Sequence, residues 1–279
     1  MNNKFNASKY WEERLSNKYD LSSVGWESLG KYYNYWLYFI KKNLFHRTIN
    51  GLNISPSKSK ILDIGSGTGF YIDRWIETGA TQITGCDITK TATINLRDKY
   101  NLLNFDTLDI GAPLKNTLLE NKKFDLVSCF DVLYHIVEDE SFDKAISNIS
   151  SLLSTEGLFI FTDTFLRHEE IKSEHVKCRK LEEYQRILDE NGFLIISRLP
   201  ASILSYPPTD TKISLFSNIW YAFTLPIRLF KPLGFIYGLI LAPLEINLTK
   251  YIKEGPGLEI MICKKKKHVN SIPKNTGNR

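Results

Sequence analysis

The sequence predicts an α/β fold: a mostly parallel sheet of seven strands with helices on both faces, a helical cap before it and a helical insertion before the last strand. Three observations carry this. From Lys60 onward, short apolar runs alternate with longer stretches of helical periodicity, the mark of repeated βαβ units with right-handed crossovers. The first of those runs empties into a turn dense in glycine, Gly65-Ser66-Gly67-Thr68-Gly69, and a helical pattern follows it. With 279 residues, 43% of them hydrophobic, the chain can bury a large core, and its composition excludes a disordered, collagen-like or multi-span membrane protein.

The elements follow in order. Residues 8–50 form an N-terminal helical cap, because Trp11 and Leu15, and then Tyr32, Tyr35, Trp36 and Phe39, recur at three- and four-residue spacing. Ser22, Ser23 and Gly25 mark a turn within the cap, and residues 51–59, with Pro56, form a linker. Strands are expected at 61–64, at 83–86, in a run reaching Leu108, at 124–130, at 158–162, at 193–197 and at 258–263. Helices are expected from the glycine turn to about 78 and over about 89–100, 139–153 and 179–191. The chain thus divides into a cap (1–55), a core (56–199), an insertion (200–257), a last core strand (258–264) and a basic, flexible tail (265–279).

The insertion holds two apolar stretches, 213–227 and 232–244, with Arg228 and Lys231 between them. Neither reaches the ~18 uninterrupted apolar residues that a membrane span needs, and Pro226, Pro232 and Pro243 are expected to break them. The expectation is a folded lid in which Trp220, Tyr221 and Phe223, with the stripe from Tyr32 to Phe39, enclose a ligand. The alternative is a pair of helices lying on a membrane surface, at most a peripheral contact.

Charge and cysteines narrow the partners. The formal charge is +5, but the tail from Lys264 holds six basic residues and no acid, so the rest of the chain is close to neutral. A groove that tracks nucleic-acid phosphates would need its positive charge on the folded body, so nucleic acid is not an expected partner. Cys86, Cys129, Cys178 and Cys263 are scattered without a CxxC pair or a histidine at ligand spacing, which argues against disulfides and zinc. No metal site is expected. The first residues contain no apolar signal-like segment, and a cytoplasmic location is the expectation.

The chemistry concentrates at the strand ends. A strand that runs into closely spaced glycines lets a ligand approach the backbone, because glycine has no Cβ and accepts positive φ. A pyrophosphate dinucleotide calls for GxGxxG, and here Phe70 stands where the third glycine would be. Asp63 precedes the turn, where an acid suits a ligand with an ammonium group. Asp87 closes the second strand, about 20 residues beyond the turn, at the spacing of a carboxylate that accepts from ribose hydroxyls. Asp109 and Ile110 follow the third strand, where a carboxylate and an apolar side chain suit an adenine ring. Phe130-Asp131-Val132-Leu133-Tyr134-His135 follows the fourth.

The runs LDIGSGTG, GCDI, LDIGAP and FDLVSCFDVLYHI together resemble the class I S-adenosylmethionine-dependent methyltransferases over about residues 60–163. The segments YWEERL and SLGKYYNYWLY, and the late GPGLEIMIC, resemble a bacterial subgroup associated with surface-glycan or secondary-metabolite pathways. The resemblance implies a Rossmann-like, seven-stranded sheet whose last strand is antiparallel, with S-adenosyl-L-methionine across the C-terminal strand ends. It implies that Gly65, Ser66, Gly67, Thr68 and Gly69 form the cofactor turn, that Asp87 and Ile88 meet the ribose, that Asp109 and Ile110 meet the adenine, and that Phe130 lies beside the methionine portion.

His135 is the candidate base: it stands just past a strand end, and its ordinary pKa suits removal of a proton from a hydroxyl. Tyr10, Trp11 and Arg14 on the first helix, together with Tyr134, Asp163 and Arg167 past the fourth and fifth strands, are candidates for contact with a substrate. The expected activity is methyl transfer by direct displacement to a small-molecule or glycan acceptor, free or lipid-linked, with oxygen as the acceptor atom. A non-catalytic protein that binds the same cofactor or docks a partner is the alternative, and an NAD-dependent oxidoreductase is a further one.

Overall fold

The computed structural model describes residues 5–267. The chain opens with the helices α1 (Ala7–Asn17), α2 (Leu21–Val24) and α3 (Gly30–Asn50), and then enters the alternating core. The core consists of β1 (Lys60–Ile64), α4 (Phe70–Glu77), β2 (Gln82–Asp87), α5 (Lys90–Lys99), β3 (Asn104–Thr107), β4 (Phe124–Cys129), α6 (Asp139–Leu152) and β5 (Leu153–Asp163). Two short strands, β6 (Ile171–Lys172) and β7 (Lys177–Cys178), pair with each other, and α7 (Leu181–Glu190) and β8 (Phe193–Pro200) follow. The insertion contributes α8 (Ser214–Leu229) and α9 (Leu233–Tyr251), and β9 (Glu259–Lys265) closes the sheet. Residues 268–279 of the expected tail lie outside the described residues.

The sheet has seven strands in the order β3-β2-β1-β4-β5-β9-β8. β1 to β5 pair in parallel, and β9 inserts antiparallel between β5 and β8, as the resemblance implied. Because both faces are covered, the strands carry apolar side chains alternately to two cores. Leu126, Ile160 and Ile262 face the layer of α3, α4 and α5, whereas Val127, Phe159, Phe161 and Met261 face α6 and α7. Chain order makes β1 run on to β2 and β3 on one side, while β4 and β5 extend to the other. The C-terminal ends of β1 and β4 are therefore the point where the winding reverses and a crevice opens.

The insertion departs from expectation. Pro226 lies inside α8 and Pro243 inside α9, so neither proline ends its helix; only Pro232, at the α9 N-cap, acts as a boundary. Packing holds the helices through the prolines. Gly234 and Gly238 bring α9 onto α3 so closely that a Cβ on Gly234 would lie 2.8 Å from the Tyr33 backbone nitrogen, and one on Gly238 would lie 2.2 Å from the Trp36 ring. Glu245 of α9 is fully buried, and its carboxylate accepts from the backbone N–H groups of Ile203, Leu204 and Ser205 and from the Ser205 hydroxyl. Arg47 of α3 donates to the Ile246 and Thr249 carbonyls. Among the described residues α9 alone is long and apolar enough to cross a membrane, yet it lies lengthwise against α3.

The expected enclosure by aromatic side chains does not form either. The buried face of α3 is Tyr33, Leu37, Ile40 and Leu44, and it leaves Tyr32, Tyr35 and Phe39 exposed. Tyr221 and Phe223 are also exposed, and only Trp220 turns inward, with its indole N–H on the Leu204 carbonyl.

Replacing Glu245 by alanine strands three backbone donors in a dry site, each costing about 1–3 kcal/mol. Urea unfolding of Glu245→Ala is expected to show a loss of about 3 kcal/mol or more, whereas Glu245→Gln, which keeps a carbonyl acceptor, loses less.

Candidate active site

The crevice at the strand ends is built from four turns. Gly65, Gly67 and Gly69 have φ of 72°, 51° and 82°, so the turn after β1 takes a path that side-chain-bearing residues avoid. At Gly65 space forbids a side chain as well, since a Cβ there would sit 2.2 Å from Val132. Asp87, at the end of β2, ties this turn to the next. Its Oδ2 accepts from the Gly67 N–H at 2.8 Å, and its Oδ1 accepts from the Thr89 N–H and hydroxyl at 2.9 and 2.7 Å. Burial pushes the Asp87 carboxyl above the ordinary carboxylate range, against those hydrogen bonds. Asp109, after β3, accepts from the Gly111 N–H at 2.8 Å and keeps its loop turned toward the crevice.

These turns line a partly open cavity. Ile64, Gly65, Ser66, Gly67 and Thr68 bound it on one side, Asp87, Ile88, Asp109 and Ile110 along a second, and Phe130, Asp131, Val132 and His135 on a third. Trp11, Leu15 and Val24 of the cap close the outer wall. Hydrogen bonds fasten the start of the cap to the core: the Tyr19 hydroxyl donates to the Gly67 carbonyl at 2.9 Å, and Glu12 accepts from the Lys90 and Thr91 N–H groups at the start of α5. Three aspartates and no lysine or arginine line this cavity. That donor set suits a cationic or neutral ligand with hydroxyls and an adenine-sized apolar ring, and it offers nothing to balance a pyrophosphate.

A second cavity adjoins the first and shares Trp11, Val24, Asp131 and His135 with it. Arg14, Trp26, Lys41, Tyr134, His175 and Tyr206 also line it. Its wall contains an ion pair that sequence reasoning missed. Lys41 Nζ of α3 lies 2.5 Å from Asp131 Oδ2, with both side chains largely buried, and 5.0 and 5.7 Å from the rings of Tyr38 and Tyr206. Asp131 has φ of 61°, held there by its N–H on the Thr162 hydroxyl at 2.7 Å. Burial alone would lower the Lys41 ammonium, but Asp131 and the surrounding tyrosines hold it well above the usual lysine value. The sequence signal was there: Lys41 interrupts the buried stripe of Leu37, Ile40, Leu44 and Phe45.

His135 stands in the wall common to both cavities. Its Nδ1 is 2.8 Å from the His175 carbonyl, which only accepts, so the neutral ring carries its proton on Nδ1 and leaves Nε2 as the acceptor. Burial, with His175 close by, pushes the imidazole down to about 4. Trp11 meets its ring edge-on at 4.8 Å.

Other expected residues are placed elsewhere. Asp63 is 1% exposed beneath the glycine turn and outside the cavity wall, where its Oδ1 accepts from Ser128 at 2.6 Å and Ser128 in turn accepts from the Trp75 indole. Burial pushes it up to about 7, and its Oδ2 is buried with no hydrogen-bond partner among the described residues. Asp163 is fully buried and bonded to the Tyr184 hydroxyl and the Thr164 N–H, away from both cavities. Arg167 pairs with Asp210, Glu254 and Glu259 and fastens the insertion to the core. Tyr10 stacks on His175 at 5.1 Å behind the cavity wall and receives a hydrogen bond from Arg14. Among the described residues no cluster of His, Cys, Asp or Glu can hold a metal, and the four cysteines are free and buried.

Residues 55–192, which carry all four turns, match the sequence family described as a methyltransferase domain. That stretch, just under half of the chain, is similar to a methyltransferase domain. The tRNA U34 carboxymethyltransferase of Nautilia profundicola is similar to this chain, with 35% identity over 103 residues, covering 36% of the chain and 32% of that protein. The ubiquinone biosynthesis O-methyltransferase of Histophilus somni is 27% identical over 118 residues, covering 40% of the chain and 46% of that protein. The chain thus matches only a third to a half of the length of these curated relatives. The structure of magnesium protoporphyrin IX methyltransferase from Synechocystis, solved with S-adenosylmethionine bound, superposes with a TM-score of 0.58 at 15% identity over 95% of this chain and all of that one, a likeness of fold. The matched residues supply most of the first cavity's wall, with the cap closing it; the second is built largely from the cap and the insertion, outside the matched residues.

Removing the cation of the buried pair leaves Asp131 without a partner, so Lys41→Met is expected to cost about 3–5 kcal/mol. Combining it with Asp131→Asn is expected to recover a large part of that loss in a double-mutant cycle read by urea unfolding.

Proposed function

We propose that the chain is an S-adenosylmethionine-dependent methyltransferase that acts on a hydroxyl of a small-molecule acceptor. The observation that carries the reading is the pair of cavities meeting at Trp11, Asp131 and His135, the first of them lined by three aspartates and no lysine or arginine. In this reading Asp87 takes the ribose hydroxyls, Asp109 and Ile110 take the adenine, Ile88 packs against the same nucleoside, and Phe130 borders the methionine end. When bound, the cofactor supplies a methyl group on a sulfonium, already activated for displacement. The chain's own residues then have to align the acceptor and keep out water, which suits the cap that closes over the first cavity.

His135, neutral and with Nε2 free to accept, takes the acceptor's proton. Lys41 and Asp131, in the wall of the second cavity, hold polar groups of the acceptor, with Tyr134 and Arg14 beside them in the same wall. A relative named as an O-methyltransferase of ubiquinone biosynthesis supports oxygen as the acceptor atom. Another relative is named for a tRNA nucleotide, but the near-neutral body and the walled second cavity favour a small molecule, of the surface-glycan or secondary-metabolite kind. Four free, buried cysteines fit a reducing compartment, and we place the chain in the cytoplasm.

Calorimetry with S-adenosylhomocysteine and with NAD is expected to show binding of the first alone. Asp87→Ala is expected to weaken that binding by about 1–3 kcal/mol, and an unchanged affinity would remove the ribose assignment.

His135→Ala is expected to lower turnover on a hydroxyl acceptor by about 10²–10⁴ with cofactor affinity retained. The pH profile gives a separate check. Burial holds His135 at about 4, so the free base persists as pH falls through 6 and 5, and His135-dependent activity is expected to fade only as pH approaches 4. An activity loss centred near 6.5 would mean that another base works, or that His135 is solvated during turnover.

A further inference from the structure

The hairpin of α8 and α9 cannot be explained as a lid. Of the 16 residues of α8, only Trp220, Thr224 and Ile227 are buried, one narrow stripe at i, i+4 and i+7. A helix on a water-facing surface carries charge on the rest of its circumference. α8 instead carries a single charged residue, Arg228, and exposes Leu215, Ile219 and Phe223 to about half of their area or more. α9 repeats the pattern, with Phe235, Ile236 and Ile240 exposed on its outer side. Tyr32, Tyr35 and Phe39 of α3 are exposed as well, and Phe235 packs against Tyr35 and Trp36, so the apolar face runs on from α9 to α3. A contiguous apolar face of this kind marks a docking surface.

Charge says what docks. α3, α8 and α9 contain one acidic residue between them, Glu245, and it is buried and fully occupied by the 203–205 backbone. Lys31, Lys212, Lys250 and Lys253 lie on or beside these helices, exposed, and pair with no carboxylate among the described residues. Arg228 and Lys231 at the hairpin turn hydrogen-bond to Ser28 and likewise lack a carboxylate partner there. Two copies meeting through this face would bring like charges together, whereas a sheet of anionic headgroups complements them while its acyl chains take the apolar side chains.

We propose that the outer face of α8, α9 and α3 seats this protein on an anionic lipid surface. It lies on the membrane and does not cross it. A spanning α9 would have to abandon Glu245's hydrogen bonds, the Arg47 contacts and the close approach of Gly234 and Gly238 to α3. Ser28, held by Arg228 and Lys231, also lines the second cavity, so the docked hairpin keeps that cavity's rim beside the headgroups. The inference stands on the surface alone and does not depend on the activity assigned to the cavities.

The test is flotation of the full chain with vesicles of phosphatidylcholine alone and of phosphatidylcholine and phosphatidylglycerol in equal parts. The wild-type chain is expected to float with the anionic vesicles. Ile219→Glu combined with Ile236→Glu, both at exposed positions, is expected to reduce that binding by about tenfold or more with an unchanged melting temperature. Lys250→Glu combined with Lys253→Glu is expected to abolish the preference for anionic over neutral vesicles. A wild-type chain that stays at the bottom of the gradient overturns the proposal. So does a glutamate variant that floats as well as the wild type, since the basic tail would then be the anchor. Self-association of the wild type without lipid, lost in the glutamate variant and unaccompanied by flotation, also overturns it in favour of a second copy.

Discussion

Between β1 and β4 the winding of the sheet reverses, so the core's own connections leave the ends of those two strands uncovered. The rest of the site answers that constraint. A crevice with largely apolar walls persists only if the turns around it are held in fixed paths. Here the fixing is local and polar: Asp87 binds the glycine turn to the start of α5, and Thr162 holds Asp131 in its left-handed conformation. The glycine turn in its turn abuts Val132, so the loops after β1 and β4 constrain one another.

What the core leaves open, the N-terminal segment closes. α1 and α2 roof the first cavity and are pinned by Tyr19 and Glu12. α3 reaches across with Lys41 to neutralise Asp131. A charge buried at that place is costly unless paired, so the position of α3 and the conformation of the loop after β4 are set together. The same helix serves two layers. Its inner face packs against the sheet core through Ile40, Leu44 and Phe45, and its flank receives α9 at two glycines. The insertion is thereby attached to the element that carries the ion pair, and Arg167 and Glu245 secure its base.

Much of the core was legible in the sequence because its signals are short-range. Buried parallel strands read as continuous apolar runs, and a strand that must end in a left-handed turn shows its glycines. β1, β2, β4 and the helices between them fall where periodicity put them. Asp87, Asp109, Ile110, Phe130 and His135 were found because strand ends can be located from those runs, and all five line the first cavity. Asp63, Asp163 and Arg167 lie outside both cavity walls, since proximity to a strand end does not say to which side a carboxylate or guanidinium turns.

The sequence by itself determined the class of the fold, the glycine turn and the set of strand ends where a ligand can be held, because periodicity and backbone chirality act over a few residues. Only the tertiary structure decided the partners of those residues. The Lys41–Asp131 pair joins positions 90 residues apart, and nothing local to either predicts the other. The prolines of α8 and α9 forecast breaks that packing against α3 overrides. Which side of the insertion faces outward was likewise settled by contacts between α3 and α9, because a helix that is apolar nearly all round carries no internal instruction about which of its faces to bury.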